Sequence, residues 1–217
     1  MVNRGYYEIN SKKSILCILM LCLVGCNSNS SSVNLADLKT PEEVNKAYEE
    51  NKDKLENEEK LQNLNIKSFD KVAKYANKSK AITSHLEQTE DKLKTIDKLV
   101  ALDDLYANTP KDVKQEAMNY LIDQYKNEKL TDDLEDNYYL ASYIVRKSDS
   151  DNGDIYDVAK VMKEYIKDTT MLVNNEYDQN NKGSLLKSLN DNKKKLDENM
   201  NVTTKIYTDS KEKKKSN

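Results

Sequence analysis

Apolar residues recur at three- and four-residue spacing along most of this chain, the period of helices buried on one face. Thr40-Pro41-Glu42-Glu43 opens the first such run, with Thr40 as N-cap, Pro41 in the first helical position and Glu43 completing a capping box. Val44, Ala47, Tyr48, Leu55, Leu61 and Leu64 follow. The stretch 49–60 between them is nearly all charged or amide, which predicts exposure around most of its circumference. Ser68 starts a second pattern through Phe69, Val72, Ala73 and Ala76, which loosens near 79–84. Ser84 with Glu87 offers another capping box, and Leu86, Leu93, Ile96, Leu99, Val100 and Tyr106 resume the period. The stretch 69–107 reads either as one long helix or as two with a bend.

Asn108-Thr109-Pro110 ends that pattern and starts the next, with Thr109 as N-cap and Val113, Ala117, Tyr120, Leu121 and Tyr125 facing inward. Thr131-Asp132-Asp133 predicts a further helix start, its acids placed where the positive end of the helix dipole favours them. Leu134, Tyr138, Ala141, Ile144 and Val145 carry that helix. A polar loop spans 147–153, and Asp154 is the expected cap of a strongly amphipathic helix. That helix uses Ile155, Val158, Met162, Tyr165, Ile166, Thr169, Leu172 and Val173, and is predicted to end at 180–184. Leu185, Leu186, Leu189, Leu196, Met200 and Ile206 mark a last one. The pattern predicts an all-α fold, an antiparallel helical bundle of six or seven helices over 40–208. A disordered tether over 26–39 precedes it and a charged tail over 209–217 follows. Heptad-like stripes also fit a coiled-coil dimer, but several helices per chain can bury them, which favours an internal bundle and a monomer.

The first residues follow another rule. Lys12 and Lys13 precede an almost unbroken apolar run from Ile15 to Val24, and polar Asn27–Ser32 follows. That is the layout of a secretory signal. The run is about ten residues, roughly half what a membrane-spanning helix needs. Leu23-Val24-Gly25-Cys26 resembles a bacterial lipobox, which implies a signal peptide over 1–25 and a lipid anchor at Cys26. An ordinary signal with a chance cysteine is the alternative; the small residue before Cys26 and the polar stretch after it favour the lipobox. Each buried acyl methylene contributes about 0.8 kcal/mol, so more than one chain holds a protein durably.

Such processing leaves 192 of the 217 residues, enough for one well-cored domain. It removes Arg4, Lys12, Lys13 and Glu8, taking 35 basic and 38 acidic residues to 32 and 37. Mild acidity with mixed signs argues against a nucleic-acid partner, which wants a basic face. Cys17 and Cys22 leave with the signal, so no disulfide, thiol nucleophile or thiolate metal site is expected. Only Gly153, Gly183, Pro41 and Pro110 remain as turn-formers, too few for the turns of a sheet protein. The charged fraction of 34% is high enough to raise disorder, but periodic apolar positions argue for folding.

Candidate chemistry is sparse. With Gly153 at the sixth position of an EF-hand loop, Ala159 falls where the bidentate glutamate belongs, so the acidic loop fails as a calcium site. A solvated turn is the plainer reading. His85 has no second imidazole to complete a metal site or triad. Carboxylates are too common for any pair to stand out as acid and base. No enzyme activity, metal or cofactor is therefore expected. Twelve of the 14 tyrosines follow Cys26, eight of them between Tyr120 and Tyr177. Tyr138 and Tyr139 point in different directions on a helix, so both are not easily core. Tyrosine gives large amphipathic area at binding surfaces, though core-edge packing with the hydroxyl in water is its commoner use. Arg146, the only arginine after Cys26, suits a bidentate carboxylate contact. The candidate ligand-binding set is thus Tyr138, Tyr139, Tyr143, Arg146, Lys147, Asp149, Asp151, Asp154 and Tyr156.

With the lipobox at Leu23–Cys26, a Lys- and Asn-rich, Arg-poor helical body on a Ser/Asn tether resembles surface lipoproteins of Borrelia. It is most similar to the complement factor H-binding lipoproteins of the relapsing-fever group. That resemblance rests on architecture and composition across the whole chain. It implies anchorage in the outer membrane facing the cell surface, and binding of host complement factor H for immune evasion. It also implies a binding loop between helical segments, matched here by Arg146 to Asp154 with its flanking tyrosines, and plasminogen as a second host ligand. The rival expectations are a plasminogen- or matrix-binding adhesin and a structural envelope lipoprotein with no host ligand.

Overall fold

The computed structural model describes residues 33–57, 66–148 and 153–199. The expectations for the signal segment, Cys26, Leu61, Leu64, Asp149, Asp151, Met200, Ile206 and the 209–217 tail lie outside the described residues. Among the described residues, a 3-10 turn at Leu35–Asp37 precedes eight α-helices. They are α1 (Pro41–Glu50), α2 (Lys52–Glu56), α3 (Phe69–Thr83), α4 (Thr89–Tyr106), α5 (Lys111–Lys126), α6 (Leu134–Ser148), α7 (Asp154–Val173) and α8 (Lys182–Glu198). The fold is all-α, a helical bundle, as the periodicity predicts.

The capping box at the start of α1 is present. The Glu43 amide donates to Thr40 Oγ1 at 3.3 Å, and the Glu43 carboxylate accepts the Thr40 amide at 3.2 Å. The predicted continuous first helix instead breaks at Asn51. That side chain donates to the Ala47 carbonyl at 2.8 Å and accepts from the Tyr106 hydroxyl at 2.8 Å. An asparagine that bonds the preceding turn competes with the helix it terminates. The undecided stretch 69–107 is two helices, and Ser84 ends α3 rather than opening α4. The start of α4 is capped from far along the chain: Glu176 accepts both the amide and the hydroxyl of Thr89 at 2.6 Å. α5 begins after Pro110 with no side-chain cap, so Thr109 does not fill the role expected of it. Likewise 130–133 is a turn, and α6 begins at Leu134, after the Thr131-Asp132-Asp133 start that the acids suggest.

α6 is the centre of the molecule, packed against α3, α4, α5 and α7. Residues 137–144 of this helix are buried without a break. A helix covered on every side shows no polar face. This is why Tyr138 and Tyr139 are both interior, contrary to the expectation that both are not easily core. α4 is similar: every residue from Leu99 to Tyr106 is buried, including Asp103 and Asp104. Leu102, Met118, Leu121, Ile122, Ile144 and Met162 lie among the fully buried side chains, each worth about 1.5–3 kcal/mol in transfer.

Glycine is not what ends these helices. α5 and α7 each close with a left-handed residue, Glu128 at φ 59° and Asn175 at φ 54°. Lys129 donates to the Gln124 carbonyl and Glu176 to that of Met171, the long bond of a Schellman motif in both cases. α7 therefore stops at Val173, short of the predicted 180, and Gly183 lies in the first turn of α8. Leu172 is only half-buried and Val173 is exposed, so the α7 core stripe effectively ends at Thr170. α8 packs chiefly on α7 and buries only Asn192 and Leu196. At the other end, the tether expected over 26–39 does not reach as far as residue 39. Leu35 and Leu38 are buried in the main core, and Lys78 donates to the Leu35 carbonyl at 2.6 Å.

Candidate functional site

Most of the tyrosines chosen from the sequence are structural. Tyr139 is 2% exposed, and burial, reinforced by the charge of Asp103, pushes its phenol well above its ordinary pKa. Tyr143 is equally interior. Tyr138 donates to Asp97 at 3.0 Å, joined there by Ser142 at 3.1 Å and Lys163 at 2.8 Å. The Lys147 side chain, 8% exposed, is withdrawn too: its ammonium donates to Asp104 at 2.7 Å and to the Ala107 carbonyl at 3.1 Å. These four residues are corrected from ligand-binding to core. The interior position of α6, invisible to a pattern that assumes one wet face, is the reason.

Arg146 behaves differently. It lies in the last turn of α6, and its side chain is 39% exposed. Its Nε donates to Asp104 Oδ2 at 3.1 Å. Asp104 thus holds two cations, a buried ammonium on one oxygen and a guanidinium edge on the other. Asp154 is exposed in the first turn of α7, whose N-cap is Gly153, so it acts on the helix dipole rather than as the cap. Tyr156 is half-buried beneath Lys160, whose ammonium stands 5.7 Å from its ring centre. Asp149 and Asp151 lie outside the described residues, so of the nine positions Arg146, Asp154 and Tyr156 are those seen at the surface.

Arg146 borders a groove of about 320 Å³ between α1, α4 and α6. Tyr48 supplies one wall, Lys94, Asp97, Lys98 and Ala101 the floor, and Arg146 the end. The α4 residues recur at three and four, a second face beside the apolar stripe. A search for apolar periodicity passes over them. Lys98 stands 5.5 Å above the Tyr48 ring and bonds the neutral side chain of Asn45. Lys94 pairs with Glu90 at 2.7 Å on the solvent side. Asp97 is already answered by Lys163. Three cations around one neutralised carboxylate leave the groove positive inside a chain of net charge −3.

A larger recess of about 520 Å³ lies between the end of α5, α7 and α8, lined by Tyr125, Tyr165, Lys193 and Asp197 among others. Its polar groups serve packing: the Tyr125 hydroxyl donates to Asp197 at 2.7 Å, and the two rings meet edge to face. Two acids at the start of α6 are also spoken for, Asp133 by Lys80 and Glu135 by Lys92 and Thr83. The groove at Arg146 is the better candidate for binding. Among the described residues, no helix is long and apolar enough to cross a membrane. No family model, curated protein or solved structure matches the chain.

Proposed function

We propose that this protein is a lipid-anchored binding module of the bacterial outer membrane, displayed on the cell surface, whose helical body holds the host complement regulator factor H. The lipobox Leu23–Cys26 supports the anchor, and the resemblance to factor H-binding lipoproteins supports the ligand. The observation that carries binding is Arg146. It is the one arginine after Cys26, and it stands half-exposed with one edge pinned beside an open groove. Arginine and tyrosine beside a concave surface are the anchors that protein interfaces favour. The role is adhesion; the ligand carries out the regulation of complement.

Two measurements test the reading. Cys26→Ala should leave the protein folded but move it from the detergent to the aqueous phase on partitioning. Pull-down from human serum should retain factor H on the wild-type chain. Serum proteins without factor H, with plasminogen retained, would replace the ligand while keeping the adhesin. A chain that retains no serum protein would remove both.

A further inference from the structure

We infer that the Arg146 groove is a receptor for a carboxylate side chain, so that the partner protein presents a glutamate or aspartate on an exposed segment. This rests on the binding role proposed above and names the chemistry of that site. The guanidinium is oriented before any ligand arrives. Asp104 fixes its Nε edge, and the short bond from Lys147 fixes Asp104. The Nη edge has no partner among the described residues. A guanidinium held on one side presents its remaining N–H groups in the fork that a carboxylate accepts in bidentate fashion. Because Asp104 is shared with Lys147, it offsets only part of the charge on Arg146.

The rest of the groove fits a side chain better than a free ion. Lys98 is bonded by a neutral amide and an aromatic face, with no ion pair among the described residues. Ala101 and the Tyr48 ring give apolar surface for the methylenes that carry a carboxylate. Asp97 on the floor, 43% exposed, accepts from Lys163, Ser142 and Tyr138, and the Lys163 ammonium offsets its charge toward an incoming acid. A sulfated polysaccharide is disfavoured. Such a polymer wants an extended basic track, whereas this patch has three cations, and Glu90 takes one of them at the rim.

The test uses the full chain in detergent and a fluorescein-labelled peptide, Gly-Ser-Glu-Leu-Glu-Ser-Gly, followed by anisotropy. A glutamine version and a heparin hexasaccharide serve as comparisons. The glutamate peptide should bind about tenfold more tightly than its glutamine counterpart, and added salt should weaken it. Arg146→Lys should remove most of that preference, because a point charge does not reproduce the fork. Lys98→Gln, which touches neither Asp104 nor Lys147, should weaken binding without altering the melting curve. Equal affinity for the two peptides, unchanged affinity in both variants, or tighter binding of the hexasaccharide with competition for the peptide would overturn the receptor. Serum pull-down with the same variants separates the two readings. Factor H retained equally by wild type and Arg146→Lys places that ligand elsewhere while the peptide result still decides the groove. Loss of factor H from the wild type removes the ligand alone.

Discussion

Asp103 sits on α4 at 0% exposure, and among the described residues neither of its carboxylate oxygens has a hydrogen-bond partner. Burial pushes its carboxyl up to about 7; Lys147 opposes the shift and Asp104 adds to it. Between the unfolded value near 4 and the folded value near 7, the native state holds a proton that the unfolded chain releases. Stability from this group is therefore full at low pH and lost as pH rises through 7. Asp136, pushed up to about 6 by burial and then by Asp133, acts in the same direction over a narrower window. Urea unfolding at pH 5 and pH 8 should show the higher midpoint at pH 5. Asp103→Asn should raise the midpoint at pH 8 and flatten the difference. A variant with the wild-type slope would assign the pH dependence to other groups. Glu128 is a second costly residue, since a left-handed conformation disfavours any side chain with a Cβ. Glu128→Gly should stabilise by about 0.5–1 kcal/mol in chemical denaturation, and a loss would show that its side chain compensates.

Helices announced themselves in the sequence in proportion to how one-sided they are. α7 buries Val158, Met162 and Ile166 along one stripe, so its position could be read directly, and the Thr40–Glu43 box marked the start of α1 to the residue. α6 could be placed but not oriented: its continuous burial is set by four neighbouring helices, and no local pattern encodes them. That one fact moved Tyr138, Tyr139, Tyr143 and Lys147 from the surface to the core. Arg146, which is at the surface, drew attention by its rarity and not by its phase. The groove floor of Lys94, Asp97 and Lys98 needed the packing of α1 over α4 to become concave. The start of α4 was equally illegible, its cap lying 87 positions away. Glu176→Ala should cost about 1–2 kcal/mol and speed hydrogen exchange at the Thr89 amide more than at amides in the middle of α4. Uniform acceleration along α4 would mean that the residue supports global stability rather than the cap.

Seen whole, the molecule begins its core before its first α-helix. Leu35 and Leu38 belong to the same buried cluster as Ile82, Leu99 and Tyr139, and Leu35 roofs the small recess beside Tyr75 and Ser79. Leu35→Ala should therefore cost about 2–4 kcal/mol, measured by urea unfolding; a loss under about 0.5 kcal/mol would detach this segment from the core. For a chain acylated at Cys26, as proposed, this sets mechanical limits. Nine peptide units separate Cys26 from Leu35, a leash of at most about 30 Å, where a leash running to Thr40 would reach about half as far again. Such an anchor would confine the body to within that distance of the bilayer. A tug from a bound ligand or from shear would be felt first at the Leu35 plug and at the Lys78 hydrogen bond behind it. That plug would work as a sacrificial link, yielding several residues of slack before any helix bears the load.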